Sequence, residues 1–262
     1  MIGIFDSGVG GLTVAAAIRK RAPSVDMVYF GDIANAPYGL KDRATLEQLT
    51  FQAFRLLRSL GATHMVSACN SVSASVILPM LELFGVYDSG IIEMVGPAAR
   101  ALKERLNGRM IVVATPATVD SAMYQKGFHE AGLEVRMIAC PELAGAIEFG
   151  EPLAVIKHHV DTVVKQAFGI GCDTLVLGCT HYPLVQGVFE QSIAAHGGGI
   201  ALYDPADAVA LVALTRHGVL GTGLNRFVIS HDSAIFRRYV GQMFGTAAVD
   251  IEVATSATTF SC

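Results

Sequence analysis

Short apolar runs alternate along the chain with segments whose apolar positions recur at helical spacing. The short runs, rich in β-branched residues, predict strands. They lie at Ile2–Phe5, Met27–Phe30, Met65–Ala68, Gly90–Val95, Ile111–Ala114, Val135–Ala139, Thr174–Leu177, Ala201–Tyr203 and Phe227–Ser230. The clearest predicted helices are Leu12–Lys20, Ala44–Leu60, Thr118–Ala131 and the run from Pro152 to Phe168. Strands alternating with helices indicate βαβ units and a mainly parallel sheet, so the predicted fold class is α/β.

The pattern also repeats itself loosely. The segment IGIFDSG resembles IVVATPA, with Asp6 and Thr115 as counterparts, and MVSACNS resembles LVLGCTH, with Cys69 and Cys179 as counterparts. Both pairs are separated by nearly the same number of residues, which indicates two similar α/β lobes. The alternative is that βαβ units simply resemble one another.

Composition narrows the class of protein. Of the 262 residues, 52% are hydrophobic and 16% are charged, which favours sheets buried on both faces. A net charge of −4 provides no basic surface for nucleic acid. The N-terminus lacks the basic and apolar regions of a signal peptide. The uncharged window 59–81 is too rich in polar groups for a membrane span, so we expect strand, loop and helix there.

Cysteine usage points to a reducing compartment. The chain has five cysteines and no secretion signal, so we expect free thiols and a cytoplasmic protein. No two cysteines have C-x-x-C spacing, and we therefore expect no structural zinc site. Three of them have structural contexts: Cys140, Cys172 and Cys262.

The other two cysteines carry the candidate chemistry. In LVLGCTHYPL, Cys179 and His181 follow a predicted strand, and alone they fit a metal site, a nucleophile, a base or a core thiol. Cys69 in VSACNSVSAS has the same context, before a helix whose dipole should lower the pKa of the thiol. Two opposed thiols suit inversion of a stereocentre, because one removes a proton and the other returns one to the opposite face. His181 can assist Cys179, and Asp6 can assist Cys69.

Polar groups beside the two thiols are suitable donors for a substrate carboxylate. Those donors are Ser7, Asn70, Ser71 and Thr180. An alternative interpretation of the glycine turn in FDSGVGG is a phosphate-binding loop. Against it, Thr13 stands where the G-x-G-x-x-G pattern requires its third glycine, and the carboxylate of Asp6 would repel an anion. The GDIANAPYGLKD segment is a predicted loop at the ligand-binding edge of the sheet.

These segments resemble a known family. IGIFDSGVGGLTV, YFGDIANAPYG, ACNSVSA and LGCTHYPL are similar to signature segments of glutamate racemase, in its order and spacing. The resemblance implies interconversion of L- and D-glutamate without a cofactor, for peptidoglycan synthesis, in two lobes with the active site in the cleft between them. It also implies a discontinuous first lobe, 1–95 plus 207–262, a second lobe, 96–206, and a possible homodimer.

The resemblance also implies roles for individual residues. The two catalytic thiols are Cys69, acting on D-glutamate, and Cys179, acting on L-glutamate. The residues that assist them are Asp6, Glu148 and His181. The substrate-binding positions are Asp6, Ser7, Pro37, Tyr38, Gly39, Asn70, Ser71, Thr118, Thr180 and His181.

Some positions depart from the family pattern and leave rivals open. Ile33 stands where Thr is usual, Ser71 and Val72 replace Thr and Ala, and FVISHDSAIFRRY lacks a Gly-Asp pair. The nearest rivals are an aspartate racemase and a maleate isomerase-like enzyme. Aspartate racemases carry Glu at the position of His181, and decarboxylase-like relatives use one cysteine. A non-catalytic phosphate- or nucleotide-binding module is the rival of another class.

Overall fold

The computed structural model of the chain describes residues 1–85, 90–103, 108–245 and 250–254. Its ten strands form two parallel sheets, one of six strands and one of four. The strands are β1 Ile2–Asp6, β2 Met27–Gly31, β3 His64–Ser67, β4 Ile91–Ile92, β5 Met110–Ala114, β6 Val135–Ala139, β7 Thr174–Gly178, β8 Ala201–Tyr203, β9 Asn225–Ile229 and β10 Asp250–Val253.

Helices join the strands and cover the sheets. They are α1 Leu12–Arg21, α2 Arg43–Ser59, α3 Asn70–Val72, α4 Leu78–Phe84, α5 Val95–Lys103, α6 Pro116–Asp120, α7 Met123–Glu130, α8 Leu143–Glu148, α9 Leu153–Ile170, α10 Gln186–Ala195, α11 Ala206–His217 and α12 Ala234–Phe244. A π-helical segment, Ser73–Ile77, connects α3 to α4, and short 3₁₀ turns occur at Ile33–Asn35, Tyr38–Leu40 and Tyr182–Val185. Among the described residues, no helix is long and apolar enough to cross a membrane.

The two sheets have equivalent strand orders, which confirms the predicted two-lobe α/β fold. The six-stranded sheet runs β10-β9-β2-β1-β3-β4, and the four-stranded sheet runs β6-β5-β7-β8. The order β2-β1-β3-β4 therefore matches β6-β5-β7-β8. Asp6 and Thr115 lie at equivalent strand ends, as do Cys69 and Cys179. The loose sequence repeat thus corresponds to a repeated topology.

Each sheet has apolar cores on both faces, which explains the continuous apolar runs. In β1, Ile2 and Ile4 pack into one core and Phe5 into another. In β5, the side chains divide in the same way, with Val113 in one core and Val112 in another. Hydrophobic burial therefore favours short parallel strands enclosed by helices.

Two predicted elements differ from the structure. The strand expected at Gly90–Val95 is reduced to β4, because the carboxylate of Glu93 accepts hydrogen bonds from the N–H groups of Val95 and Gly96 and begins α5 there. The helix expected over Thr118–Ala131 is two helices, α6 and α7. Ala122 separates them with a φ of 56°, a left-handed conformation that interrupts helical hydrogen bonding.

One strand was not predicted from the sequence. The edge strand β10 pairs with β9, and Arg226 and Glu252 join the two through two hydrogen bonds of 2.7 and 2.8 Å. Its alternating charged and apolar residues are exposed or half-buried, so its apolar signal is weak. The polar tail expected to fray, Thr255–Cys262, lies outside the described residues.

Candidate active site

The candidate catalytic residues lie at the carboxyl ends of parallel strands in the two sheets. Cys69 follows β3 and Cys179 follows β7, while Asp6 ends β1. Both thiols are buried, with exposed fractions of 4% and 6%. The charge of Cys179 is among the influences that raise the pKa of Cys69, so the two sulfur atoms are within electrostatic range of each other. This is the sheet edge at which α/β folds bind ligands.

Cys179 belongs to a buried chain of polar groups. Its sulfur lies 3.7 Å from Nδ1 of His181, and Nε2 of the same ring lies 2.7 Å from Oε2 of Glu148. His181 and Glu148 are 4% and 2% exposed. The structure therefore brings together the predicted thiol, imidazole and carboxylate, including Glu148, which the sequence placed only through a loose family match.

This arrangement controls the protonation of His181. Burial by itself lowers the pKa of the imidazole, but the hydrogen bonds with Cys179 and Glu148 act in the other direction and outweigh it. The pKa of His181 consequently lies well above its ordinary value. An imidazolium next to a thiol stabilises the thiolate, so this side of the site is suited to hold a base.

The glycine turn after β1 packs directly against this chain of polar groups. The N–H of Val9 donates to Oε2 of Glu148 at 2.9 Å. A Cβ atom on Gly8 would lie 2.0 Å from the same oxygen, and one on Gly10 would lie 2.5 Å from Oγ1 of Thr180. The glycines thus permit close approach of the two lobes. The carboxylate of Glu148 therefore occupies the position in this turn where a bound phosphate would have to lie.

Asp6 connects the two lobes on the same side. Its carboxylate accepts from the N–H of Gly8 at 2.9 Å and from the hydroxyl of Thr180 at 3.1 Å. Burial raises the pKa of Asp6, and the opposing effects of His181 and the backbone N–H groups are weaker. This carboxyl therefore keeps its proton to a higher pH than an exposed aspartate.

The environment of Cys69 differs from the sequence expectation in two respects. Burial, with a smaller contribution from the charge of Asp6, raises the pKa of the thiol to about 12. The backbone N–H of Val72 in α3 lowers this pKa as predicted, but burial outweighs it, so the predicted net lowering is wrong. α3 has only three residues before it becomes π-helical, and its dipole is too short to offset desolvation. The thiol donates to Oγ of Ser7 at 4.0 Å, whereas Asp6 directs its hydrogen bonds to Gly8 and Thr180.

A chain of hydroxyl groups crosses between the lobes near Cys69. Oγ of Ser71 lies 2.9 Å from Oγ1 of Thr115, which lies 3.1 Å from Oγ1 of Thr118. The replacement of Thr by Ser at position 71 therefore keeps a bonded hydroxyl. Thr115 was noticed in the sequence only as the counterpart of Asp6, and its place at the end of β5 was the signal that could have identified it.

The Pro37–Gly39 segment contributes to the site mainly through its backbone conformation and its close packing against Thr115. The Ala36–Pro37 peptide bond is cis, and a Cβ atom on Gly39 would lie 2.5 Å from Cβ of Thr115. The buried Tyr38 donates its hydroxyl hydrogen bond to Asp32 at 2.5 Å. The Asp32 interaction was missed from the sequence, although its position just after β2 is the usual one for a functional loop.

Two departures from the family pattern border one cavity of about 630 Å³ beside Glu148. Ile33 lines one part of it, and the segment His231–Ser233 lines another. The changes therefore lie next to the buried polar chain without interrupting the contacts between Glu148, His181 and Cys179. Among the described residues, no group of three or more His, Cys, Asp or Glu side chains could hold a metal ion.

Comparison with known proteins places this geometry in a family. A family model described as Asp/Glu/Hydantoin racemase matches residues 12–213, which include both cysteines and His181. The chain belongs to the Asp/Glu/hydantoin racemase family. A glutamate racemase of Saccharopolyspora erythraea is 37% identical over 267 aligned positions, covering 95% of each chain.

Solved structures of family members have the same fold. The chain is similar to a glutamate racemase of Bacillus anthracis, with a TM-score of 0.85, 28% identity and coverage of 98% of this chain and 97% of that one. It is also similar to the glutamate racemase of Francisella tularensis in complex with D-glutamate, with a TM-score of 0.81, 26% identity and 97% coverage of both chains. The predicted family resemblance and fold are thereby confirmed.

Proposed function

We propose that this protein interconverts L- and D-glutamate without a cofactor, using Cys69 and Cys179 on opposite faces of the substrate. The observation that carries the proposal is the placement of two buried thiols at equivalent strand ends of two similar lobes. The relatives that are glutamate racemases support the substrate, as does the D-glutamate complex of the Francisella protein.

The different surroundings of the two thiols suit a defined direction of proton transfer. Cys69 keeps its proton because its pKa is raised to about 12, whereas Cys179 lies beside an imidazole whose pKa is raised well above normal. Cys179 as thiolate removes the Cα proton of L-glutamate, forming an S–H bond and leaving the electron pair on Cα and its carboxylate. Cys69 then delivers its proton to the opposite face and gives D-glutamate.

The reverse direction uses the same groups with their protonation exchanged. Cys69 must then lose its proton before it removes the Cα proton of D-glutamate, and we assign that task to Asp6, whose charge acts on the thiol. His181 and Glu148 hold the proton on the Cys179 side. We assign substrate binding to the remaining predicted positions, which are Ser7, Pro37, Tyr38, Gly39, Asn70, Ser71, Thr118 and Thr180.

We further propose the division of the chain into lobes 1–95 plus 207–262 and 96–206. The membership of β1–β4, β9 and β10 in one sheet and β5–β8 in the other supports it.

A cytoplasmic location, a role in peptidoglycan synthesis and a homodimer are further parts of the proposal. The first two follow from the free buried thiols and from the proposed product, and the third rests on family resemblance.

The direct test is polarimetry of the purified protein with L- and D-glutamate, with no added cofactor and with aspartate as the comparison substrate. We expect racemisation of both glutamate enantiomers and a much lower rate with aspartate. Racemisation of aspartate in preference to glutamate would instead indicate the aspartate racemase alternative.

The two-thiol mechanism has its own test. Cys69→Ser and Cys179→Ser should each abolish turnover of both enantiomers nearly completely, because every turnover requires both proton transfers. Cys172→Ser is the matched control, since it changes a buried thiol two residues before β7. Reactions in deuterated water should place deuterium at Cα of the product. Full turnover by either active-site variant would disprove the mechanism.

A further inference from the structure

The side-chain amide of Asn70 has one bonded end and one free end. Its Oδ1 accepts a hydrogen bond from the hydroxyl of Tyr124 at 2.5 Å. Its Nδ2 is buried and has no hydrogen-bond partner in the part of the chain that the structure describes. A buried donor without an acceptor is costly, so this N–H₂ group requires a partner that the described residues do not supply.

Tyr124 is held too firmly to adapt to a different orientation of this amide. The residue is fully buried, and its ring packs against Phe128 with centroids 5.8 Å apart in the core beneath α5 and α7. Burial raises the pKa of Tyr124 well above normal, so the hydroxyl keeps its proton and must donate it. A reversed Asn70 amide would leave this hydroxyl without its acceptor. The tyrosine therefore determines which end of the amide is free.

The backbone leading to Tyr124 is arranged at an energetic cost. Ala122 adopts a left-handed conformation, with φ of 56° and ψ of 8°, that a residue with a Cβ atom rarely takes. Ala122 is the N-cap of α7, the helix that carries Tyr124. Such conformations are concentrated at functional sites, where the rest of the fold maintains them.

From these contacts, we infer that Tyr124 is a positioning residue that aims Nδ2 of Asn70 at a carboxylate of the bound amino acid. The free group can only donate, so its partner must be an acceptor, and the proposed substrate offers two carboxylates. The inference rests on the proposed function. Because Tyr124 and Asn70 belong to different lobes, the amide is oriented only when the lobes are together.

The test is the Tyr124→Phe variant, which removes the hydroxyl and keeps the buried ring. A binding interaction made equally in the ground and transition states affects KM and leaves kcat unchanged. We expect KM for both enantiomers to rise about tenfold, since one hydrogen bond to a charged group is lost, while kcat stays within about threefold. Ser73→Ala is the matched control, because it removes another buried hydroxyl, bonded to the backbone of Ser67, one turn beyond Asn70.

A double-variant comparison separates positioning from general stability. Asn70→Ala should raise KM at least as much as Tyr124→Phe, and adding Tyr124→Phe to Asn70→Ala should change KM no further. The inference would be overturned if the two substitutions had additive effects on KM, or if Tyr124→Phe had the KM of the wild type. Neither outcome would affect the proposed function, because the wild type would still racemise glutamate. A wild type without glutamate turnover would overturn the proposed function and this inference with it.

Discussion

The substitution Gly8→Ala should separate the two lobes at the active site. The added Cβ atom would lie 2.0 Å from Oε2 and 2.4 Å from the carboxyl carbon of Glu148, well inside van der Waals contact. A flexible side chain could normally move away. This carboxylate is held by the N–H of Val9 at 2.9 Å and by Nε2 of His181 at 2.7 Å, so it must break both hydrogen bonds to make room.

The energetic effect follows from these two bonds. Hydrogen bonds to a charged group each contribute about 1.5 kcal/mol or more, so the free energy of unfolding should fall by about 3 kcal/mol. The displaced carboxylate would also release His181, the proposed proton-transfer partner of Cys179. Loss of a positioned proton-transfer partner typically slows a reaction by about 10²-fold or more, and we expect a decrease in kcat of that size.

Urea unfolding and polarimetry measure these two effects separately. Gly145→Ala is the matched control, because Gly145 lies in the same short helix as Glu148 and its added Cβ would meet only Pro37, at 3.8 Å. The control should keep its activity and gain up to about 0.5–1 kcal/mol from the higher helix propensity of alanine. A Gly8→Ala protein with unchanged stability and kcat would refute the steric reasoning.

Three further predictions concern protonation and backbone conformation. Glu148→Gln removes one of the groups that raise the pKa of His181. A raised pKa stabilises the fold fully below about pH 6.5, and this stabilisation is lost as the pH rises through the folded-state pKa. Urea unfolding from pH 6 to 10 should therefore show that the variant is destabilised, by an amount that shrinks as the pH rises. A gap that widens with pH would contradict this sign. The rate of Cys69 alkylation, followed by mass spectrometry, should rise about tenfold per pH unit from pH 7 to 9.5 without a plateau, because the pKa of this thiol is raised to about 12. A plateau in the rate near pH 8.5 would contradict the raised pKa. Ala122→Gly should raise the free energy of unfolding by about 0.5–1 kcal/mol, since glycine adopts a φ of 56° without strain, and a loss of stability in thermal unfolding would show that no strain is present.

Most of the fold was predictable because burial on both sheet faces leaves a direct signal in the sequence. Nine predicted apolar runs correspond to β1–β9, although the fourth was too long. The errors occur where side chains decide the local structure. Glu93 begins a helix inside an apolar run, Ala122 breaks a helix that lacks glycine or proline at that point, and Arg226 attaches an edge strand with little apolar content.

The site was partly predictable because its residues follow strands at repeated positions. The two cysteines, Asp6 and His181 were identified by that context, and Glu148 only through family resemblance. Tyr124 had no such signal, since it lies inside a helix and reaches Asn70 from the other lobe. The raised pKa of Cys69 was also beyond prediction, because desolvation depends on everything packed around the thiol.

By itself, the sequence determined the α/β class, the repeated strand–thiol units and the candidate acid–base residues, because these depend on local periodicity and on neighbours along the chain. Only the tertiary structure decided which groups meet across the two lobes. The contacts of Glu148 with Val9 and His181, and the protonation states that follow from them, join residues far apart in sequence. Burial and long-range hydrogen bonding set these properties, and neither is encoded in any short segment.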